Sequence, residues 1–307
     1  MSGRFVGVDW GTTSLRAFLI EEDGRIARQV EADAGIMNVE AGRFEAVLDE
    51  QLARLEAPAG LPVLASGMIG SRQGWVEVAY AHCPAGAAEI AEGIVARRAG
   101  DRDIFFVPGL TCTNAAGAPD VMRGEEVQIL GALASGEDAG SGAPAMAVLP
   151  GTHSKWARVA GGRIEAFATF MTGELFAVLR RHSILGRLME GETIDAGGFA
   201  RGVETALEER VGLLQALFAA RTLPLFEALE QKETAGFLSG LLIGTEIAQA
   251  RTGFAAGDAT LTLIGSAALV GHYGRAAAQC GIATVTAPGD AAARGLHLLA
   301  AARGIGR

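Results

Sequence analysis

The chain begins with an apolar run, residues 5–8, that leads to Asp9 and then into a turn of glycine, threonine and serine, residues 11–14. A second apolar run, residues 15–20, follows at once, so the pattern predicts two strands joined by a polar turn. Glycine lets backbone N–H groups approach an anion, and a carboxylate at a strand end can hold Mg²⁺ through its water ligands. Taken alone, the pattern also fits an ordinary hairpin with a polar tip.

The same pattern occurs again near the middle of the chain. Residues 146–149 are another apolar run, residues 150–155 another turn with glycine and threonine, and residues 156–159 another predicted strand. In both places a glycine-containing hairpin turn leads to a third strand, at Asp23-Gly24 and at Gly161-Gly162. The repeat predicts two similar domains whose turns face each other.

Composition narrows the class of protein. The 307 residues suffice for two compact domains, and although 50% are hydrophobic, no segment has the length of a membrane span. The net charge of −9 argues against a nucleic-acid surface, and the beginning of the chain lacks a signal-peptide pattern. Cys83, Cys112 and Cys280 have neither metal-ligand spacing nor an even disulfide count, so we expect reduced, structural cysteines. We therefore expect a cytoplasmic protein without nucleic-acid or membrane partners.

Strands alternate with helices along the chain, which predicts an α/β fold. Apolar periodicity predicts helices over residues 44–55, 85–98, 172–182, 203–220, 232–251 and 268–279. Further strands are predicted over residues 62–65, 103–107, 260–264 and 282–286. Residues 135–144 are rich in Gly, Ser, Ala and acidic residues, which indicates a linker and a domain boundary near residue 140.

The doubled strand–turn–strand pattern resembles the sugar kinase, actin and Hsp70 superfamily. That resemblance implies two ribonuclease H-like domains of the α/β class with an interdomain cleft. It implies a first domain, residues 1–140, that binds mainly sugar acid and carries the Mg-phosphate turn. Residues 289–307 would pack back on it, and residues 141–288 would form the nucleotide-binding domain. Small-residue helices after residue 124 and after residue 288 resemble the two crossover helices that act as a hinge.

Five motifs narrow the resemblance to one family. They are Asp-Trp-Gly at residues 9–11, Ser-Gly-Met-Ile-Gly-Ser at 66–71, Met-Arg-Gly-Glu-Glu at 122–126, Pro-Gly-Thr-His-Ser-Lys-Trp at 150–156 and Met-Thr-Gly-Glu-Leu at 171–175. Together they resemble 2-dehydro-3-deoxygalactonokinase. The family implies transfer of the ATP γ-phosphoryl group, with Mg²⁺, to the terminal hydroxyl of 2-dehydro-3-deoxy-D-galactonate. The product is the 6-phosphate used in galactonate breakdown.

The resemblance also implies roles for individual residues. Glu125 is predicted to be the catalytic base, with Glu126 as the alternative, and Asp9 is predicted to hold Mg²⁺ through water. Predicted nucleotide contacts are Gly11, Thr12, Thr13, Gly151, Thr152, His153, Gly240, Gly265 and Ser266. Predicted substrate contacts are Gly67, Met68, Ser71, Arg72, Trp75, Arg123 and Lys155. Repulsion between the neighbouring glutamates would raise one pKa, which suits a base near neutral pH.

Each of these residues also has a structural alternative. The two glutamates could simply be a solvated acidic start of a helix, and Ser266 could be a helix N-cap. Met68 and Trp75 could be core residues, and Lys155 an exposed residue on a strand. The helix beginning at residue 172 could face phosphate or be an ordinary capping arrangement.

Other functions remain open at this stage. They are a kinase for the gluco epimer or another sugar acid, a nucleotide-binding sugar sensor of the same fold, and an ATPase or phosphatase that transfers phosphoryl to water. The sequence also leaves a homodimer open.

Overall fold

The computed structural model describes residues 3–40, 42–114, 117–134, 144–208, 211–254 and 259–306. The predicted linker, residues 135–144, lies almost entirely outside these residues. The chain divides into two compact units. The first unit comprises Met1–Pro144, Arg158–Phe167 and Pro288–Arg307, and the second comprises Ala145–Ala157 and Ala168–Ala287. The mixed α/β class predicted from the sequence is confirmed.

A six-stranded sheet forms the centre of the first unit. Its strands are β1 (Phe5–Trp10), β2 (Leu15–Ile20), β3 (Ile26–Ala32), β4 (Val63–Ser66), β6 (Val95–Ala99) and β7 (Arg102–Phe106), in the order β3-β2-β1-β4-β7-β6. The first three strands form antiparallel hairpins, whereas β4 lies parallel to both β1 and β7. Strand β1 is buried along most of its length, as expected for a continuous apolar run in the middle of a sheet.

A small second sheet in the first unit was not predicted. It consists of β5 (Ala81–His82), β8 (Leu110–Thr113) and β9 (Pro119–Met122), in the order β5-β8-β9. The predicted helix over residues 85–98 is also wrong in its second half, because a short helix stops at Gly93 and β6 begins at Val95. Strand β6 pairs antiparallel with β7 through a turn at Gly100. Its side chains are mostly exposed, so the apolar spacing that suggested a helix was misleading.

The sheet that begins in the second unit repeats the strand order of the first. Its strands are β10 (Ala145–Leu149), β11 (Ser154–Ala160), β12 (Arg163–Phe170), β13 (Leu261–Leu263) and β14 (Thr284–Thr286), in the order β12-β11-β10-β13-β14. As in the first sheet, a chain-consecutive hairpin pair lies on one side of the first strand and parallel strands lie on the other. The repeated hairpin pattern of the sequence is therefore a repeated sheet topology.

Nine α-helices are found in the described residues. The first unit contains α1 (Phe44–Arg54), α2 (Ala87–Glu92), α3 (Glu125–Leu133) and α9 (Ala291–Arg303). The second contains α4 (Thr172–His182), α5 (Ala196–Leu207), α6 (Leu213–Leu225), α7 (Thr234–Phe254) and α8 (Ala267–Gln279). The single helix predicted over residues 203–220 is wrong, because α5 ends at Leu207 and a separate helix begins after Gly212. No helix in the described part of the chain is long and apolar enough to cross a membrane.

A buried tryptophan anchors the core of each unit. Trp10 is 1% exposed, packs edge-on against Phe44 of α1 at a centroid distance of 5.8 Å and donates its indole N–H to Ala34 O. Trp156 is fully buried in the second core, beside residues of α5, α7 and α8. Each tryptophan lies next to a predicted phosphate turn, at residues 11–14 and 150–155, so each turn is attached directly to a buried core residue.

Helices α3 and α9 pack closely enough that neither can carry a side chain at the crossing. A methyl group added at Gly131 would lie 1.9 Å from Ala291 O, and one added at Gly295 would lie 1.9 Å from Val127 O. The C-terminal helix therefore packs on the helix that begins at the predicted catalytic glutamates.

Replacing Gly131 by alanine should lower the free energy of unfolding by about 1–3 kcal/mol, because the two backbones must separate to admit the methyl group. Gly271→Ala is the matched control, since Gly271 lies within α8 with open space around it. That change should be neutral or raise stability by up to about 1 kcal/mol. Urea denaturation midpoints measure both, and equal stability of the Gly131 variant and the parent would contradict the close crossing.

Candidate active site

Asp9 lies at the end of β1, where its carboxylate has two partners. Arg16 Nη2 lies 2.5 Å from Asp9 Oδ2, and Gln128 Nε2 donates to the same oxygen at 3.3 Å. Arg16 faces Asp9 directly across the β1–β2 hairpin, and Gln128 lies on α3. Sequence reasoning missed both residues, although the hairpin register alone places Arg16 opposite Asp9.

The turn after Asp9 is fixed through its carbonyl groups. Gly11 N–H donates to Ser14 O at 2.9 Å, which closes the turn. The carbonyls of Gly11, Thr12 and Thr13 accept backbone N–H groups from residues 36, 37 and 35, at 3.0–3.1 Å. Thr12 and Thr13 are exposed. The turn is therefore held from one side and presents its threonine hydroxyls to solvent on the other.

Two glycines bring three segments together beside Asp9. Gly67 follows β4 with φ +91°, and a methyl group there would lie 2.7 Å from Trp10 O. Gly124 precedes α3 with φ +109°, and a methyl group there would lie 3.1 Å from Gly67 Cα and 3.9 Å from Asp9 Oδ1. Other residues adopt these backbone angles only with strain. The structure thus places Asp9, the predicted substrate loop and the start of α3 at one edge of the sheet.

The two predicted base residues lie in different environments. Glu126 is fully buried, and the Gly124 N–H lies 2.9 and 2.8 Å from its two carboxylate oxygens. Burial, and after it the charge of Glu125, raises the pKa of Glu126 to about 8. Glu125 is only partly buried and accepts the backbone N–H of Arg123 at 2.9 Å. One pKa is indeed raised, as the adjacent carboxylates suggested, but desolvation contributes more than repulsion.

Arg123 is buried next to the predicted substrate loop. It is 8% exposed, donates from Nη2 to Val78 O at 2.8 Å and stacks over the Tyr80 ring at 4.3 Å. Its Nε and Nη1 are buried without a hydrogen-bond partner among the described residues, and Nη1 lies 3.0 Å from where a Cβ of Gly70 would be. Ser71, 9% exposed, has a buried hydroxyl that also lacks a partner there. Unpaired buried donors of this kind need explaining, because each carries a desolvation cost.

Three other predicted substrate residues either extend into solvent or pack against the core of the first unit. The side chain of Arg72 is 87% exposed and pairs with Glu77 at 3.3 Å. Met68 and Trp75 pack on the first core, and the Trp75 ring lies between Phe44 and Phe106, at centroid distances of 6.5 and 5.7 Å. The packing alternative therefore accounts for Met68 and Trp75, and their contact with substrate stays a prediction.

In the second unit, the turn of residues 151–153 packs against the start of α4. Thr152 O accepts the N–H of Glu174 at 2.9 Å, and His153 Nε2 lies 2.5 Å from Glu174 Oε2. A methyl group added at Gly173 would lie 2.4 Å from Gly151 O, so glycine is required for this contact. Thr152 and His153 are themselves exposed. The sequence left open whether the helix that begins at residue 172 faces phosphate or is an ordinary capping arrangement, and it did not indicate that Glu174 is the direct partner of His153.

The predicted nucleotide contacts Gly265 and Ser266 lie beside this turn. Strands β10 and β13 are parallel neighbours, so Gly265 and Ser266 follow β13 at the edge where the turn follows β10. Ser266 begins α8 without a side-chain capping bond, so the simple N-cap alternative does not explain its hydroxyl. Both residues are exposed.

Two second-unit residues are more buried than the sequence indicated, and their predicted ligand contacts stay predictions. Lys155 is not an exposed strand residue, because it is 5% exposed and donates from Nζ to Thr169 Oγ1 at 2.8 Å. Gly240 lies buried in the middle of α7, where a methyl group would lie 2.0 Å from Phe199 O of α5. The close crossing of α5 and α7 accounts for this glycine, and its nucleotide contact stays a prediction.

Comparison with known proteins agrees with the motifs. The family described as 2-keto-3-deoxy-galactonokinase matches residues 9–299. A Rhizobium meliloti (strain 1021) protein named "Probable 2-dehydro-3-deoxygalactonokinase DgoK1" is 40% identical over 99% of this chain and 98% of its own length. The 2-dehydro-3-deoxygalactonokinase of Escherichia coli (strain K12) is 33% identical over 95% of each chain.

Solved structures give the same result at the level of the fold. A crystal structure of a Sinorhizobium meliloti protein assigned as a 2-dehydro-3-deoxygalactonokinase superposes with a TM-score of 0.88, at 39% identity, over 97% of this chain and 98% of that one. A Clostridium difficile activator of 2-hydroxyisocaproyl-CoA dehydratase, with bound ADPNP, has a TM-score of 0.51 at 12% identity over 97% of this chain and 94% of that one, which shows similarity of fold alone. The family expected from the five motifs is confirmed, and this chain belongs to the 2-keto-3-deoxy-galactonokinase family.

Proposed function

We propose that this kinase transfers the ATP γ-phosphoryl group to the terminal hydroxyl of 2-dehydro-3-deoxy-D-galactonate, giving the 6-phosphate in galactonate breakdown. Family membership and the names of both relatives support the reaction. The observation that carries it is the meeting of Asp9, Gly67 and Gly124 beside two helix-start carboxylates. Phosphoryl transfer requires positioning, charge neutralisation and a carboxylate to receive the hydroxyl proton, and this edge of the sheet supplies groups for all three.

The nucleotide would be bound by both repeated turns. Each unit would then be a ribonuclease H-like domain of the sugar kinase, actin and Hsp70 type, with the substrates in a cleft between the domains. The repeated strand order supports this assignment. The domain of residues 1–140, with residues 289–307 packed on it, would bind sugar acid and would carry the Mg-phosphate turn. Residues 141–288 would bind nucleotide. Thr12, Thr13 and Thr152 offer exposed hydroxyls suited to phosphate oxygens.

Asp9 fits a magnesium ion held mainly by phosphates and water. Both described hydrogen bonds to Asp9 end on Oδ2, while Oδ1 lies on the side of Gly124. No group of three or more His, Cys, Asp or Glu side chains suited to a metal is found in the described residues. A single carboxylate is the usual protein contribution to a nucleotide-bound magnesium ion. When bound, Mg²⁺ would neutralise charge on the transferred phosphoryl group.

Glu125 is the better candidate for the base. A base must be ionised to accept a proton, and a carboxyl with a pKa of about 8, as for Glu126, is mostly protonated at pH 7. Glu126 is also fully buried, so a sugar hydroxyl has no direct path to it. We assign Glu126 to holding the turn at Gly124, and Glu125 to accepting the proton of the terminal hydroxyl.

Arg123 is the best candidate for the carboxylate of the sugar acid. Its Nε and Nη1 lack partners among the described residues, and the unpaired hydroxyl of Ser71 belongs to the adjoining loop. A carboxylate that reached Nη1 would offset the desolvation cost of that donor and accept a charge-assisted hydrogen bond from it, and the Ser71 hydroxyl could serve as a second donor. Arg72 is a weaker candidate, since its side chain extends into solvent and pairs with Glu77.

Several finer expectations stay predictions. Preference for the galacto over the gluco epimer, a cytoplasmic location, a homodimer and the lack of nucleic-acid or membrane partners rest on the sequence and on family resemblance. A sugar sensor or a simple ATPase of the same fold is less favoured, because neither requires a carboxylate such as Glu125 placed to receive a substrate proton.

The reaction can be tested by a coupled assay of ADP release over a panel of aldonates and their 2-keto-3-deoxy derivatives. Magnesium-dependent turnover is expected only with a 2-keto-3-deoxy acid. Glu125→Gln should lower kcat by about 10²–10⁴-fold, the usual contribution of a general base, whereas Glu126→Gln should change it by less than about tenfold. Rapid ATP turnover without any sugar acid would indicate an ATPase, and equal activity of Glu125→Gln and the parent would remove the base assignment.

The raised pKa of Glu126 should appear in stability as well as in activity. Between the ordinary carboxyl pKa, 4.5, and about 8, the folded chain keeps this proton while the unfolded chain loses it. Stability from Glu126 is therefore full below pH 4.5 and falls as pH rises towards 8. Between pH 5.5 and 7 the parent should lose about 2 kcal/mol more than Glu126→Gln, as measured by urea denaturation at both pH values. An identical pH dependence of the two proteins would contradict the buried, protonated carboxyl.

Arg123→Lys should raise KM for the sugar acid about tenfold or more and leave KM for ATP unchanged, because lysine keeps the charge but loses the planar pair of donors. Arg72→Lys is the matched control and should change neither KM by more than about twofold, as expected for a surface pair. A higher sugar-acid KM in the Arg72 variant alone would transfer the carboxylate to that residue.

A further inference from the structure

A buried carboxylate in the second unit, Glu246, is not used by the proposed chemistry. It lies on α7, is 2% exposed and accepts three hydrogen bonds. The Trp156 indole N–H donates to Oε1 at 2.7 Å, and the Tyr273 hydroxyl donates to Oε2 at 2.7 Å. The Thr172 hydroxyl also donates to Oε2. Burial raises the pKa of Glu246 and these hydrogen bonds lower it, so the donors offset part of the cost of burying the carboxyl group.

The donors come from both sides of the turn at residues 151–153. Trp156 lies on β11, directly after that turn, and Thr172 is the first residue of α4. The Tyr273 hydroxyl lies 2.7 Å from Ser154 Oγ as well, which adds the first residue of β11 to the network. Glu246 therefore joins the strand that leaves the turn to the helix that packs against it.

The hydroxyl of Thr172 is directed to this carboxylate and not to its own helix. Helix α4 has no side-chain capping bond at its start, so the ordinary capping arrangement allowed by the sequence is absent. Gly173 and Glu174, the next two residues, make the close contacts with Gly151 and Thr152. A shift of Thr172 would move those contacts with it.

We propose that Glu246 is a positioning residue that fixes the start of α4 against the turn at residues 151–153 and thereby sets the affinity for nucleotide phosphates. The inference rests on the proposed nucleotide-binding role of this turn. The described hydrogen bonds of Glu246 go to residues outside the turn. Its effect on the turn therefore passes through Thr172 on one side and through Trp156 and Ser154 on the other. Nucleotide affinity should depend on it, whereas sugar-acid affinity should not, since Arg123 and Ser71 belong to the first unit.

The test uses the full-length protein and ADP as the probe, with Kd measured by calorimetry. Thr172→Val removes the donor to Glu246 at nearly constant volume and should weaken ADP binding by up to about tenfold, the loss expected for one hydrogen bond. Thr172→Ser keeps the hydroxyl and should restore the parental Kd. KM for ATP should rise in parallel in Thr172→Val, while KM for the sugar acid stays within about twofold of the parent.

Thr245→Val is the matched control. Thr245 precedes Glu246 on α7, and its hydroxyl donates only to Leu241 O of the same helix, at 2.7 Å, so ADP affinity should not change. Glu246→Gln should weaken ADP binding, and combining it with Thr172→Val should add little, because both changes break one link.

The outcomes separate this inference from the function on which it rests. Failure of the unaltered protein to bind ADP would overturn the nucleotide-binding role and this inference together. Normal ADP binding by the parent that Thr172→Val leaves unchanged would overturn this inference alone, as would an equal loss in Thr245→Val. Full additivity of the two losses would show that Thr172 and Glu246 act separately.

Discussion

The parallel register of β1 against β4 decides where the first unit can carry out chemistry. Asp9 pairs with Ser66 in this register, so the segment that begins at Gly67 leaves the sheet beside the Asp9 carboxylate. The close approach of Gly67 to Trp10, and of Gly124 to Gly67, follows from this common edge. A slip of one residue would turn the Asp9 side chain to the opposite face of the sheet, away from Gln128 on α3. The site therefore depends on strand pairing before it depends on any side chain.

Each unit places one buried glutamate behind its turn, and the two are stabilised differently. Glu126 accepts hydrogen bonds from backbone N–H groups, among them that of Gly124, and its pKa is raised to about 8, so it is mostly neutral at pH 7. Glu246 accepts three side-chain hydrogen bonds, which oppose the upward shift that burial imposes on its pKa.

The sequence predicted the parts of the structure that local patterns specify. The apolar runs around Asp9 and the turn at residue 151 are the paired hairpins of both sheets, and α4 begins at Thr172 as expected. Local patterns were insufficient where partners lie far apart in the chain. Strand β6 is exposed and owes its form to pairing with β7, and the environment of Gly240 is set by α5, some forty residues earlier.

In the candidate site, too, the sequence predicted what local motifs specify and missed what depends on distant partners. The motifs pointed to Asp9, Arg123 and the two glutamates, and favoured Glu125 as the base with Glu126 as the alternative. They could not show the difference in burial between the two carboxylates, because burial is a property of the folded unit. Glu246 shows the limit most clearly. It stands alone in a helical sequence, and the packing of α7 against β11, α4 and α8 gives it three donors.

The ion pair between Asp9 and Arg16 sets the direction in which Asp9 can act. Arg16 and Gln128 both bind Oδ2, so the compensating positive charge lies on one side of the carboxylate. A cation that approached the other oxygen, Oδ1, would meet a carboxylate that is held in place through Oδ2. The Asp9 side chain is 11% exposed, so it is not closed off from solvent completely. Arg16 need not be displaced for this approach. Its guanidinium, 32% exposed, keeps further N–H groups for a phosphate oxygen, so a cation could bind Asp9 and a phosphate could bind Arg16 without competing for the same atom.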